Sequence, residues 1–296
     1  MLSEYLHLLI ARALCEIMTG VTSRVSPTVT RVITGGPAVW GVTSLGDYLY
    51  VVRYNGNEVE VFDAVTLTLE RVLPVPGISF GISGITACSR NNCLYLCVCY
   101  YPSIHRVDLT TAAVNSWRTG ETPRGLSVNA NHNVLVTCAK NKKLQEYKTD
   151  GRLMREIYLP AGPQSPWQAV QLSTGHYVVS HWQSPGVLSV VGVDGRLLRS
   201  YGSSNSSDVG PMKYPKSLAV TKNGDILVAD EGNDRILAVD PSLTRAQVFP
   251  LPVDLRLVRP FGLYLDVTRD RLFVGEWGGD LRVIVLDNAS CIPWQV

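Results

Sequence analysis

Short apolar runs separated by turn sequences recur along the chain, and the pattern is clearest at residues 215–240. Three runs occur there, at Ser217–Val220, Ile226–Ala229 and Arg235–Val239, and Asn223-Gly224 is the strongest turn signal between the first two. Runs of this length joined by tight turns predict an antiparallel meander. One meander cannot bury both of its faces, so the pattern predicts further copies that pack against it.

The rest of the chain contains five related segments. Each opens at a proline or an equivalent residue, and successive openings are 41 to 49 residues apart. A period in the forties with about four strands per unit is typical of a β-propeller. The predicted fold is therefore all-β, a six-bladed β-propeller. Its units open near Val39, Ile82, Pro123, Pro166, Pro215 and Pro260.

The two ends of the repeat region are expected to meet in the last blade. The sixth unit has three clear strands, ending at Asp287, whereas the β-branched run Thr28–Thr34 precedes the first unit. We expect Thr28–Thr34 to supply the outer strand of blade six, because this closure leaves no free sheet edge. The predicted propeller domain spans residues 27–296.

Residues 1–26 differ from the repeats, and we predict a separate leader that contains a short N-terminal helix. It does not resemble a signal peptide, because Glu4 replaces the basic start and Arg12 and Glu16 interrupt the apolar stretch. The helix is also too short and too charged to span a bilayer. We therefore expect a cytoplasmic protein without a membrane span, and no oligomerisation signal beyond this helix.

The sequence ILVADEGNDRILAVD, residues 226–240, resembles the NHL repeat, whose core reads "hydrophobic-V-A-D-x-x-N-x-R-I". Asp230, Asn233, Arg235 and Ile236 match that core, and the sixth unit is a weaker copy. The resemblance covers about residues 28–296 and implies a six-bladed propeller used as a binding platform. Such propellers are similar to those at the C-terminus of tripartite-motif ubiquitin ligases. This chain has no RING or B-box zinc-ligand pattern, so the resemblance does not imply ligase activity.

Composition, charge and cysteine usage change this picture little. The net charge is +2 and 46% of the residues are apolar, which does not require a nucleic-acid or membrane partner. Four of the seven cysteines lie within Cys88–Cys99, but their spacing lacks the paired C-x2-C of a zinc site. We expect buried reduced thiols, with a Cys88–Cys93 disulfide as the alternative. We predict neither a metal nor a cofactor.

The repeat alignment also predicts where a binding site lies. It identifies equivalent positions at the end of each second strand, namely Arg53, Val98, Cys138, His181, Asp230 and Glu276. The next positions are Tyr54, Cys99, Ala139, Trp182, Glu231 and Trp277. These twelve residues are expected to cluster at one rim of the propeller. The candidate binding residues are Arg53, Tyr54, Lys140, Lys142, His181, Trp182, Asp230, Glu231, Glu276 and Trp277.

Three functions are compatible with this rim. Aromatic residues and arginine are typical anchors of protein interfaces, which favours a non-catalytic protein-binding or scaffold module. Aromatic residues among cations would also suit single-stranded RNA, although Asp230, Glu231 and Glu276 oppose that interpretation. A metal-dependent enzyme of the lactonase or amidating-lyase type would need His181, Asp230 and Glu276 as ligands. We expect the first function and no catalysis.

Two structural interpretations compete with these site assignments. The rim aromatics are also expected to pack between blades. In the NHL pattern, Asp230 is expected to accept backbone N–H bonds at the rim. Asn233 suits a left-handed turn position, and Arg235 can reach acceptors on a neighbouring blade. For Asp230, Asn233 and Arg235 we therefore favour a bracing role over ligand binding.

Overall fold

The six predicted repeats fold as six four-stranded antiparallel sheets. The structure is a computed structural model and describes residues 28–202, 209–252 and 254–286. A first strand, β1 (Thr28–Ile33), precedes blade one. Blade one consists of β2 (Val39–Leu45), β3 (Tyr48–Arg53), β4 (Glu58–Asp63) and β5 (Leu69–Pro74). Blade two consists of β6 (Ile82–Cys88), β7 (Cys93–Val98), β8 (Ser103–Asp108) and β9 (Val114–Arg118).

The later blades repeat this arrangement. Blade three consists of β10 (Pro123–Val128), β11 (Val134–Cys138), β12 (Lys143–Tyr147) and β13 (Leu153–Tyr158). Blade four consists of β14 (Pro166–Gln171), β15 (Tyr177–His181), β16 (Val187–Val191) and β17 (Leu197–Tyr201). Blade five consists of β18 (Pro215–Val220), β19 (Ile226–Asp230), a 3-10 turn at Glu231–Asn233, β20 (Arg235–Val239) and β21 (Ala246–Val248). Blade six contains β22 (Pro260–Asp266), β23 (Arg271–Glu276) and β24 (Leu281–Val285).

The ring is closed by the first strand of the described chain. Strand β1 pairs antiparallel with β24, so that Val29 lies opposite Ile284 and Ile33 lies opposite Leu281. The innermost strands β2, β6, β10, β14, β18 and β22 each contact the next, and β22 contacts β2. The prediction of a six-bladed propeller closed by an N-terminal strand is confirmed. The predicted N-terminal helix and the boundary at residue 27 lie outside the described residues.

The core lies between the blades. Neighbouring side chains of one strand face opposite ways: Leu227 packs with Leu272 of blade six, whereas Val228 packs with Val178 of blade four. Because each blade is covered on both faces, its central strands are apolar at almost every position. Stacking of this kind explains why the second strands read as continuous apolar runs in the sequence.

A β-bulge interrupts every innermost strand directly after its first residue. In blade three, Pro123 pairs with Cys138 and Gly125 with Thr137, so that Arg124 is left out of the ladder. The register also breaks after the first residue in the other five blades, where one residue is left out in blades one, two and six and two residues in blades four and five. Glycine is needed at Gly125, where a Cβ would lie 2.5 Å from the carbonyl oxygen of Trp167. A bulge of this kind re-aims one side chain per blade. The second residues of the six strands are Trp40, Ser83, Arg124, Trp167, Lys216 and Phe261.

The cysteines within the described ranges carry free thiols. Cys88 and Cys93 lie opposite each other in the β6–β7 ladder and do not form the alternative disulfide. Burial raises the pKa of the Cys97 thiol to about 12, with a smaller opposing effect from the Ser83 hydroxyl. The Cys97 thiol is therefore neutral at physiological pH. In the part of the chain that the structure covers, no helix is long and apolar enough to cross a membrane.

Ring closure gives the first testable prediction. Deleting residues 1–33 removes β1 and leaves one edge of β24 without its partner strand. We expect this deletion to lower the Tm relative to deletion of residues 1–27, which keeps all of β1. Thermal unfolding followed by circular dichroism measures the difference. Equal melting temperatures for the two deletions would show that the β1–β24 pairing does not stabilise the ring.

Candidate binding site

The six positions aligned in the sequence occupy one rim of the propeller. Each is the last residue of a second strand and pairs with the first residue of the innermost strand, as Asp230 does with Pro215 and Glu276 with Pro260. The alignment therefore placed Arg53, Val98, Cys138, His181, Asp230 and Glu276 at equivalent points.

Asp230 uses its carboxylate within its own blade. It is fully buried and accepts a hydrogen bond from the backbone N–H of Lys213 at 2.6 Å. Asn233 Nδ2 and Arg235 Nε donate to its second oxygen at 2.8 and 2.7 Å. Arg235 also donates to the carbonyl oxygen of Val209, in the segment that leads into blade five. These bonds tie that incoming segment to the end of β19.

One detail of the turn differs from the expectation. The left-handed residue after β19 is Asp234, with φ of 53°, whereas Asn233 lies in the 3-10 turn and donates its side-chain amide to Asp230. Aspartate tolerates the left-handed region for the same reason as asparagine. Because Asp234 takes the left-handed position, the Asn233 side chain points back to the carboxylate of Asp230.

Glu276 and Arg53 hold the segments that lead into their own blades in the same way. Glu276 accepts from the backbone N–H of Val258 at 2.7 Å and from Arg282 Nε at 2.8 Å. Arg53 reverses the polarity, because its guanidinium donates to the carbonyl oxygens of Gly35, Pro37 and Gly279 and pairs with Glu60 at 2.8 Å. Both side chains therefore act as braces at the seam of the ring.

His181 is buried at the same position of blade four. Its Nε2 lies 2.7 Å from the Ser189 hydroxyl. Burial lowers the pKa of His181 to about 4, so the imidazole is neutral at physiological pH. Among the described residues, no group of three or more histidine, cysteine or acidic side chains is arranged to hold a metal ion.

Lys140 and Lys142 lie apart from these braces. Both belong to the turn between β11 and β12 on blade three, where Lys140 is exposed and Lys142 adopts a left-handed φ of 48°. They add positive charge to one sector of the rim.

The predicted aromatic residues belong to a larger structure, which we call the aromatic network. Trp40 stacks on Phe261 with ring centroids 4.9 Å apart, and Phe261 meets Trp167 edge-on at 5.6 Å. Trp167 contacts Trp182 at 5.7 Å. Rings from blades one, four and six thus touch one another across the mouth of the channel. The network consists of Trp40, Tyr54, Trp167, Trp182, Tyr214, Phe261 and Trp277.

A second group of rings continues this surface over blade two. Phe80 contacts Tyr100 at 5.2 Å and Tyr101 at 6.4 Å. Cys99, and after it the hydroxyl of Tyr54, raise the pKa of Tyr100, which places this group beside the network. Eight aromatic side chains are exposed in the described ranges, and six of them lie on this face: Phe80, Tyr100, Tyr101, Trp182, Tyr214 and Trp277.

A buried lysine lies inside the network. The Nζ atom of Lys216 is 3.5 Å from the centroid of Phe261, 4.6 Å from that of Trp167 and 5.4 Å from that of Trp182. Its ion pair is with Glu231 Oε2 at 3.3 Å, and both side chains are almost fully buried. Aromatic faces attract a cation, and the attraction increases when water is excluded. Burial nevertheless lowers the pKa of Lys216 to about 8, because desolvation outweighs the attraction of Glu231.

Two arginines complete the charge distribution. Arg259 donates from its guanidinium to Glu231 Oε1, and its Cζ atom lies 4.7 Å from the centroid of Trp277. Arg124 is exposed, and its Cζ atom lies 5.4 Å from the centroid of Trp167. In the described part of the chain, no acidic side chain forms an ion pair with Arg124. Glu231, proposed from the sequence as a binding residue, is therefore a buried anion between Lys216 and Arg259.

The central channel lies behind the network. It encloses about 260 Å³ and is lined by the six innermost strands. Three rings of the network, Trp40, Trp167 and Phe261, belong to its lining.

The sequence analysis missed eight residues of this site, and three of them, Phe80, Tyr214 and Arg259, lie in loops. The other five follow the opening residue of a repeat, and the bulge at that point re-aims their side chains: Trp40, Arg124, Trp167, Lys216 and Phe261. A signal was present, because that alignment column contains Trp, Ser, Arg, Trp, Lys and Phe. An innermost strand packed against its neighbours would not accept so mixed a set at one position.

Comparison with known proteins agrees with this architecture. Residues 212–238 match the family model described as the NHL repeat. Virginiamycin B lyase from Staphylococcus aureus superimposes with a TM-score of 0.65 and 11% identity, covering 86% of this chain and 98% of the lyase. A streptogramin B lyase structure gives 0.65 and 10%, with 86% and 97% covered. Kuenenia stuttgartiensis hydrazine synthase gives 0.63 and 14%, with 88% and 98% covered. No curated protein sequence matches the chain significantly.

At these identities the superpositions establish the fold alone. Six four-stranded blades around one axis, closed by β1, define the class as a six-bladed β-propeller. The match at residues 212–238 identifies an NHL-type repeat in blade five of this propeller.

The brace formed by Asp230 gives the second prediction. Asp230→Ala leaves the backbone N–H of Lys213 and the Nε of Arg235 without their carboxylate acceptor, while Arg235 keeps its bond to the carbonyl oxygen of Val209. We expect the free energy of unfolding to fall by about 3 kcal/mol, as for other broken buried pairs. Denaturant unfolding measures the change. The control is Asp194→Ala, whose ion pair with Arg196 is exposed, with a loss below about 1 kcal/mol. Equal losses in the two variants would contradict the bracing role.

Lys216 gives the third prediction, a pH-dependent stability. The pKa of Lys216 is about 8 in the folded protein and its ordinary value is 10.5. Between those pH values the side chain is therefore protonated in the unfolded chain and mostly deprotonated in the folded protein. The cost of burying the ammonium is therefore full below about pH 8 and disappears as the pH rises to about 10.5. Across this window, the stability of the wild type should rise by about 1–3 kcal/mol relative to Lys216→Met.

Denaturant unfolding of both proteins at several pH values tests this prediction. Taking the difference between them removes the contribution of buried tyrosines and cysteines, whose raised pKa values act in the opposite direction. Lys222→Met, at an exposed lysine of the same blade, is the matched control. A difference between wild type and Lys216→Met that does not change with pH would contradict the buried ammonium.

Proposed function

We propose that this propeller is a non-catalytic protein-binding module and that the partner binds the face formed by the aromatic network and the rings of blade two. The observation that carries the proposal is that six of the eight exposed aromatic side chains in the described ranges lie on this face. A contiguous exposed aromatic surface on a folded domain is typical of an interaction site. Tryptophan, tyrosine and arginine are also the usual anchors of protein interfaces.

The packing beneath these rings supports the same function. Trp182 is 40% exposed, but it also packs on Trp167 and Tyr214 and lies near the Lys216 ammonium. Trp277 is 37% exposed and packs on Tyr54 and Arg259. Rings held in this way lose little conformational freedom when a partner binds, so more of the interaction energy remains for affinity.

The rim carboxylates and histidine support a role without catalysis. Asp230, Glu276 and His181 were the ligands that a metal-dependent enzyme would need. Each forms hydrogen bonds with the third strand of its own blade, to Arg235, Arg282 and Ser189 respectively. These bonds fix the side chains and leave little freedom to coordinate a metal. The lyase names among the structural neighbours belong to proteins only 10–11% identical to this chain.

Single-stranded RNA is the second candidate, and one observation favours it. The rim acids that opposed this function are paired with cations, for example Glu276 with Arg282. However, Arg53 and Arg259 are paired with acids as well. Of the other cations, Arg124, Lys140 and Lys142 belong to blade three, whereas Arg118 and Lys213 are single exposed cations beside blades two and five. An RNA strand needs cations spread along its backbone path. The exposed side chains on this face of blades two, four and six are mainly aromatic, so we favour a protein partner.

A peptide selection provides the fourth prediction. We expect a random peptide library displayed on phage to yield sequences that bind the wild-type propeller. Their affinity should fall at least about tenfold with Trp182→Ser/Trp277→Ser, because two aromatic anchors are lost. Biolayer interferometry with synthetic peptides measures the change. Tyr158→Ser, at an exposed tyrosine on outer strand β13, is the control and should bind normally.

Two results would contradict the proposal. If the selected peptides bound the wild type, Trp182→Ser/Trp277→Ser and Tyr158→Ser equally, the interaction would lie elsewhere on the protein. Failure to select any peptide, together with tight binding of oligouridylate that weakens steeply with salt, would support RNA instead.

A further inference from the structure

The charged side chains that contact the Trp167 indole are both positive. Two cations from neighbouring blades lie against this one indole, Arg124 from blade three and Lys216 from blade five. The carboxylate that faces Lys216 is Glu231. Its Oε2 atom pairs with Lys216 and its Oε1 atom with Arg259. Both oxygens are therefore occupied, and neither is paired with Arg124.

The charged groups nearest Lys216 are therefore more positive than negative. Lys216, Arg259 and Arg124 contribute three cations and Glu231 one anion, while the exposed Asp234 accepts the backbone N–H of Arg259. Burial is the main cause of the lowered pKa of Lys216 and Glu231 opposes it, whereas the like charges of Arg259 and Arg124 lower it further. An anion placed beside Arg124 would relieve this repulsion. The field would act in a partly desolvated aromatic setting, where charges interact more strongly than in water.

We propose that Arg124, beside Trp167 and above the buried Lys216, forms a carboxylate-binding subsite that takes an acidic side chain or the C-terminal carboxylate of the bound partner segment. The inference rests on the proposed protein-binding function and names the chemistry that the site prefers. Arg124 makes the direct contact, since its guanidinium is exposed and its planar donors match the two oxygens of a carboxylate. Lys216 contributes positive potential from beneath the indole.

The surroundings define the rest of the ligand. Trp182 lies beside Trp167, with its exposed part facing the same rim, and offers an apolar surface within reach of the anion. A residue with an acidic group next to an aromatic or large aliphatic side chain would therefore satisfy both parts of the site. A single unpaired guanidinium suits one carboxylate, whereas a nucleic acid presents a row of phosphates.

Three small probes separate binding of an α-carboxylate, binding of a side-chain carboxylate and binding of the aromatic group alone. N-acetyl-phenylalanine carries an α-carboxylate, acetyl-Glu-Phe-amide carries a side-chain carboxylate, and acetyl-Gln-Phe-amide is the neutral counterpart of the second. Binding is followed by tryptophan fluorescence, because four tryptophans belong to the aromatic network. At low salt we expect at least one acid to bind roughly tenfold more tightly than the neutral peptide, as a charge-assisted hydrogen bond implies. The acid that binds more tightly identifies the source of the carboxylate.

The variants are Arg124→Gln and a matched control, Arg90→Gln. Arg124→Gln should abolish the preference for the acid and keep the fold, because Arg124 is exposed. Arg90 is an exposed arginine in the β6–β7 turn on the opposite face of the propeller, and its substitution should leave the preference intact. The preference should also weaken with added salt, since it arises from charge.

Several outcomes would overturn the subsite. Equal affinity for acid and neutral probes, an unchanged preference in Arg124→Gln, or no binding of any probe up to about 10 mM would each do so. Tighter binding of oligouridylate than of both acids through Arg124 would also overturn it. If phage-selected peptides still bound through Trp182 and Trp277, the subsite would fail while the proposed function stood. If neither the preference for acids nor peptide binding through Trp182 and Trp277 were found, the proposed function would be rejected as well.

Discussion

Closure of the ring is the constraint on which the structure depends. Each blade is apolar on both faces, so it is stable only between two neighbours, and the pairing of β1 with β24 completes the last blade. Closure also brings the six innermost strands to one axis, where residues that are more than 200 positions apart become neighbours. Trp40 and Phe261 stack only because blade six returns to blade one. The aromatic network is thus a consequence of closure as well as of its own side chains.

The bulge in each innermost strand places a variable side chain at the mouth of this scaffold. Strand pairing fixes most side chains in the packing between blades, and the bulge releases one residue per blade from that pattern. The released position therefore varies without disturbing the ladder on either side. In this chain it presents rings on blades one, four and six and cations on blades three and five. The division explains why the mouth is both apolar and positively charged.

The repeat pattern predicted the blade count, the closing strand and the ends of the second strands, because those features follow from apolar runs and their spacing. It could not show which rim side chains are free. Glu231 was predicted as a binding residue of the rim, yet it is buried because Lys216 and Arg259, from other parts of blades five and six, close over it. The bulge was also not recognised from the apolar runs, because strands covered on both faces have no apolar–polar alternation that one extra residue would interrupt. Trp167 and Arg124 were missed for that reason.

The Lys216–Glu231 pair raises a question of energetics. A buried ion pair often contributes no more to stability than apolar residues of similar volume, because desolvation offsets the attraction. Here the ammonium has aromatic faces around it and a single carboxylate partner among the described residues, so burial leaves its pKa depressed. A charge held at such a cost does little for folding. We interpret it instead as a fixed source of positive potential beneath Trp167, and the exposed guanidinium of Arg124 extends that potential to the surface where a partner would bind.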